Sequence, residues 1–195
     1  MKLLKIFLIV VCTTICNQSY SQSSHIYIEQ IGSNNTFEVS QTGFGHLASI
    51  KAGLEGSVDT SSVSVTQQGA GAKSAIIELT NGYSNSLSIT QEGAGQHSAT
   101  VQNYAGSANS ISITQTGNAN NTFTVIGAAG TINNANTINA TQSGGVGADK
   151  AFTLNMNGTT GANVTVQQTN PTQSNSGSMS IQCFGGCGSY SYIRQ

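Results

Sequence analysis

The chain has 195 residues, a formal net charge of −1 and 7% charged residues, against roughly 25% in ordinary soluble domains. So few cations exclude the dense basic surface that nucleic acid demands. Disorder, which goes with high net charge and few β-branched residues, does not suit a chain in which Ile, Val and Thr return at intervals.

The N-terminal run MKLLKIFLIVVCTTICNQSYSQ reads as a secretory signal over residues 1–21. Lys2 and Lys5 form its charged start, Ile6 to Cys12 its apolar core, and Ser19-x-Ser21 a small-residue cleavage site before Gln22. The apolar run is shorter than the ~20 residues a membrane span needs. Ile15 is bulky where lipidation of Cys16 would want a small residue. Residues 22–195 are expected to form one domain.

From there the chain repeats an apolar-x-apolar-x-amide unit, and period-2 alternation is the signature of a half-buried strand. In order the units are Ile26-x-Ile28-x-Gln30, Phe37-x-Val39-x-Gln41, Ala48-x-Ile50-x-Ala52, Val63-x-Val65-x-Gln67 and Ala75-x-Ile77-x-Leu79. Then come Leu87-x-Ile89-x-Gln91, Ala99-x-Val101-x-Asn103, Ile111-x-Ile113-x-Gln115 and Phe123-x-Val125. The last are Ile138-x-Ala140-x-Gln142, Phe152-x-Leu154-x-Met156, Val164-x-Val166-x-Gln168, Met179-x-Ile181-x-Cys183 and Ser191-x-Ile193-x-Gln195. Gly, Ala, Ser and Asn fill the connections. Glycine supplies the positive φ of a tight arc. Pro171 sits in a connection, where it removes no ladder donor.

One such strand pair cannot bury its apolar face alone, whereas stacked pairs bury a continuous core. The pattern therefore predicts an all-β fold: a β-solenoid of about seven strand-turn-strand repeats. Its expected core is Ile26, Ile28, Phe37, Val39, Ile50, Val63, Val65, Ile77, Leu87, Ile89, Val101, Ile111, Ile113, Phe123, Val125, Ile138, Phe152, Leu154, Val164, Val166, Met179 and Ile181. Gln30, Gln41, Gln67, Gln91, Asn103, Gln115, Gln142 and Gln168 are expected to stack as a ladder of amides, as in cross-β assemblies. The units that lose the terminal amide, at 75–79, 123–125 and 152–156, are expected to be the least regular rungs. Open strand edges at both ends, low net charge and high β-propensity favour adding further copies head to tail.

Residues 86–121 carry S-x-φ-x-Q-x-G-x-G and S-A-x-φ-x-Q-like halves and resemble the curlin repeat of bacterial curli subunits. Gly43-Phe44-Gly45-His46-Leu47-Ala48-Ser49-Ile50 is similar, with His46 where the family has Asn. The resemblance implies a functional amyloid, as major fibre subunit or nucleator. It would be exported through an outer-membrane pore with periplasmic chaperones and would build biofilm matrix and adhere to surfaces. Only Gln22 to His25 precede the first unit, where the family's major subunits carry a Gly/Asn-rich segment.

No nucleophile-base-orienter set can be assembled, so no catalytic residue and no enzyme are expected. No cofactor or metal is expected either: His25, His46 and His97 are scattered singly and read as solvated turn residues. Cys183 and Cys187 form a possible disulfide in an exported chain; free thiols or a redox switch are the other readings that spacing leaves open. The alternative to a fibre is a monomeric β-solenoid that binds ice, glycan or host matrix without polymerising.

Overall fold

The computed structural model describes residues 24–29, 35–51, 61–78, 82–83, 85–102, 106–107, 110–127 and 136–195. The signal segment and Gln30, Ala52, Leu79 and Asn103 lie outside these residues, and Phe37 is described in backbone alone.

Alternating β-branched and polar residues cannot bury a helical stripe but bury one face of a strand, and the described residues hold strands and no helix. The strands are β1 (His25–Glu29), β2 (Asn35–Gly43), β3 (Leu47–Lys51), β4 (Ser61–Gly69), β5 (Lys73–Glu78), β6 (Gly82–Tyr83), β7 (Asn85–Glu92) and β8 (His97–Gln102). They continue as β9 (Gly106–Ser107), β10 (Ser110–Gly117), β11 (Asn121–Gly127), β12 (Thr137–Gly144), β13 (Lys150–Asn157), β14 (Asn163–Gln168), β15 (Asn175–Gln182) and β16 (Ser189–Arg194).

The chain alternates between two sheets, laying one strand on each per turn. One sheet runs β1-β3-β5-β8-β11-β13-β15 and the other β2-β4-β7-β10-β12-β14-β16. Every pairing is parallel and joins equivalent positions: Leu87 meets Ile111, which meets Ile138, which meets Val164. The short β6 and β9 pair separately. This is a parallel β-solenoid.

The core is a set of apolar columns running along the stack. From β3 to β14 the inward residues are closed off from solvent: Ile50, Val65, Ile77, Ile89, Val101, Ile113, Phe123, Val125, Ile138, Leu154 and Val166 are all buried, as are Val63, Leu87, Ile111, Phe152 and Val164. That makes about five sealed turns, against the expected about seven repeats, with a more open turn at each end. Each such side chain contributes roughly 1.5–3 kcal/mol by leaving water. Phe123 and Phe152 occupy one column and stack, with centroids 5.6 Å apart. The next residue in that column is Gly177, and a Cβ there would collide with the Tyr192 ring, which fills the space instead.

Three expectations are corrected at the ends. Ile26 and Ile28 are 50% and 42% exposed, not core. They lie in register with Ala48 and Ile50, but among the described residues β1 is an edge strand and lacks a neighbour on its outer side. Val39 and Met179, in the edge strands β2 and β15, are only partly buried against the core, for the same reason; Ile181 is buried. In β16 the expected inward face of Ser191, Ile193 and Gln195 is the outer one, and Ile193 is 53% exposed. The register of β16 on β14 sets Tyr190 and Tyr192 over Val164 and Val166, so a slip of one residue exchanges the faces.

Candidate assembly site: two polar columns beside the arcs

Each turn passes from the sheet of β2 to the sheet of β3 through a short arc, and two polar columns flank these arcs. The first lies at the C-terminal ends of β2, β4, β7, β10, β12 and β14. Gln41 Nε2 donates to Gln67 Oε1 at 2.7 Å, Gln67 to Gln91 at 2.9 Å and Gln91 to Gln115 at 2.8 Å. Gln115 then donates to Gln142 at 2.8 Å and Gln142 to Gln168 at 2.7 Å. In four of these amides the second N–H crosses to the facing sheet: Gln67 to Leu47 O at 3.0 Å, Gln91 to Ser74 O at 2.8 Å, Gln115 to Ser98 O at 2.9 Å and Gln142 to Thr122 O at 2.9 Å. Gln67, Gln91, Gln115, Gln142 and Gln168 are fully buried. Their amides are paired on both sides, which avoids the roughly 1–3 kcal/mol cost of an unpaired buried polar group.

Among the described residues the bonded glutamines all lie in one sheet. The units at 75–79, 123–125 and 152–156 lie in β5, β11 and β13 of the other sheet, where Gly127 pairs with Met156 and Met156 with Ile181. β11 and β13 pair over seven residues without interruption.

The second column is composed of residues that sequence reasoning did not single out as buried. Lys73 pairs in register with His97, His97 with Asn121, and Asn121 with Lys150 at the starts of β5, β8, β11 and β13, and His46 precedes β3 at the equivalent place. His46, Lys73, His97, Asn121 and Lys150 are 0–2% exposed, so His46 and His97 are not solvated turn residues. The arcs curl inward and turn backbone carbonyls toward this column, and each side chain donates to them. His46 Nε2 lies 3.2 Å from Thr42 O and His97 Nε2 2.9 Å from Glu92 O. Asn121 Nδ2 donates to Thr116 O at 3.1 Å. Lys73 Nζ donates to Gly71, Gly93 and Gly95 O at 2.7, 3.0 and 2.7 Å. Lys150 Nζ donates to Ala148 O at 2.5 Å and Gln173 O at 2.6 Å.

These environments shift proton affinities. Burial pulls Lys73 and Lys150 below the usual lysine range. Burial, reinforced by the Lys73 charge and opposed by the carbonyl contacts, lowers His46 and takes His97 down to about 4. Nε2 of each imidazole donates to a carbonyl, and its Nδ1 lacks a partner among the described residues. A signal for this column was present: a polar residue follows the ladder glutamine by six positions at Lys73, His97 and Asn121.

Glycines let the arcs stack. Gly69 and Gly93 have φ of +113° and +109°, and a Cβ on either would collide with the carbonyl oxygen of the equivalent glycine one turn on.

Cys183 and Cys187 are joined by a disulfide that clips the connection from β15 to β16. Among the described residues no group of three or more His, Cys, Asp or Glu is placed to hold a metal ion, and no helix is long and apolar enough to cross a membrane.

No curated protein and no solved structure matches the chain. The family model described as the curlin associated repeat matches residues 82–117, which run from β6 through β10. Within that segment lie the Gln91 and Gln115 rungs of the ladder, in parallel register with each other, and the buried His97 of the facing sheet. Over residues 82–117 the chain carries a curlin associated repeat, in keeping with a curlin-repeat protein.

Proposed function

We propose that this chain is an exported structural protein that self-assembles head to tail into extracellular curli-like amyloid fibres, contributing to biofilm matrix and adhesion. The observation that carries the reading is the glutamine ladder in its sheet: a one-dimensional hydrogen-bonded stack, in parallel register, with edge strands at both ends. An edge strand presents unpaired backbone N–H and C=O groups, and a further parallel strand satisfies them. The curlin repeat at residues 82–117 supports the same reading.

On this reading the principal partner is another copy of the chain. The resemblance adds a nucleator or fibre subunit, an outer-membrane secretion pore and periplasmic chaperones. Residues 1–21 serve as the signal for export. The role is structural, not catalytic, and needs no cofactor and no nucleic acid.

The test is incubation of the mature protein, followed by thioflavin fluorescence, sedimentation and electron microscopy. Fibres that sediment and bind the dye are expected; persistent monomers with a flat signal would sink the reading and favour a monomeric surface binder. Changing Gln91 and Gln115 together to Ala should slow growth more than changing the outward Ser88 and Ser112. Equal rates would count against ladder stacking as the basis of assembly.

A further inference from the structure

The ladder has a direction, and its two ends are chemically different. Every bonded amide donates toward the C-terminal end of the stack, from Gln41 to Gln67 and onward to Gln168. At the N-terminal end this leaves Gln41 Oε1 shielded from solvent and without a hydrogen-bond partner among the described residues. At the other end the next residue in the column is Arg194, in register with Gln168. Arginine only donates, so it cannot accept from Gln168, whose Nε2 turns instead to Ala151 O and Asn175 O, both at 3.2 Å. One end therefore offers an unused acceptor and the other a cationic donor.

The apolar columns have matching ends. Ile28 begins the column Ile28, Ile50, Ile77, Val101, Val125, Leu154, Met179. Ile26 and Ile28 stand 50% and 42% exposed, although the residues they register with are fully buried. At the opposite end Met179 and Tyr192 are partly buried against the core.

Resting on the self-assembly reading above, we propose that β15 and β16 of one copy dock on β1 and β2 of the next, with Arg194 completing the amide ladder at Gln41 and Met179 closing over Ile28. The occupant is a second copy in the same orientation. A head-to-head contact would set acceptor against acceptor at Gln41, and a tail-to-tail contact would set Arg194 against Arg194. Only the head-to-tail contact pairs donor with acceptor and continues both parallel sheets in register. Arg194 thus gives the fibre its polarity.

The test is elongation of preformed wild-type seeds by full-length mature monomer, with the urea midpoint of each variant confirming that it folds. Arg194→Glu replaces the donor by an acceptor and should elongate about tenfold more slowly, the loss expected for one buried charge-assisted hydrogen bond. Arg194→Gln, which keeps a donor and extends the ladder, should elongate at close to the wild-type rate. Ile28→Asp should slow elongation at least as much as Arg194→Glu. If wild-type monomer extends its seeds while Arg194→Glu and Ile28→Asp extend them equally fast, the junction is wrong and self-assembly stands. If wild-type monomer fails to extend at all, self-assembly itself falls, and the junction with it.

Discussion

Replacing Gln115 by Ala tests the ladder where it is best enclosed. Gln115 is fully buried. It accepts from Gln91 Nε2 at 2.8 Å and donates to Gln142 Oε1 at 2.8 Å and Ser98 O at 2.9 Å. Alanine would leave Gln142 Oε1 without its donor and would strip Gln91 of one of its two acceptors, the other being Ser74 O. Each buried group left unpaired costs about 1–3 kcal/mol, so the two together predict a loss of about 2–6 kcal/mol. The outward neighbour Ser112, changed to Ala, should stay within about 0.5 kcal/mol of wild type. Urea unfolding of freshly desalted monomer, followed by circular dichroism, reads both. Equal midpoints for the two variants would refute the view that ladder amides hold the arcs to the facing sheet.

Stability should also depend on pH through His97. Its proton affinity is lowered from 6.5 to about 4 in the folded chain. Below pH ~6.5 the unfolded chain takes up a proton that the folded chain refuses, so stability should fall as pH drops toward ~4 and level off below it, by up to about 3 kcal/mol. His97→Asn, copying Asn121 one turn on, should flatten that slope, with His46 leaving a residual trend of the same sign. Gly69→Ala should destabilise severely, because positive φ and the Gly93 carbonyl both oppose a Cβ. Gly147→Ala, at φ +76° with nothing within 4 Å, should cost only the backbone strain of about 1–2 kcal/mol. Reducing the Cys183–Cys187 disulfide, whose cysteines are four positions apart, should cost about 2 kcal/mol at most and leave the midpoint of the central turns unchanged.

Much of the fold was legible because one residue pattern repeats in one dimension. Once Leu87-x-Ile89-x-Gln91 is set against Ile111-x-Ile113-x-Gln115, the inward positions of most other strands follow, and parallel stacking brings equivalent glutamines together. What failed to show has identifiable causes. Lys73, Lys150, His46 and His97 look like solvent-facing residues, because the six-residue spacing from a glutamine does not by itself reveal that an arc will turn its carbonyls inward and require donors there. The register of β16 is not legible in the sequence because Tyr190, Ser191, Tyr192 and Ile193 offer an apolar choice on either face, and only packing against Val166 and Phe152 decides between them. Ile26 and Ile28 carry a core pattern, and it is position at a sheet edge, not composition, that leaves them exposed. That β5, β11 and β13 share a sheet apart from the bonded glutamines was not legible, because alignment of single strands does not say which strands share a sheet.

X-ray fibre diffraction from washed, aligned fibres of the mature chain tests the central claim most directly. If copies stack as their own turns do, the pattern should show a meridional reflection near ~4.8 Å, the spacing of parallel strands perpendicular to the fibre axis. Fibres that lack that meridional reflection, or a chain that stays monomeric throughout, would contradict the account.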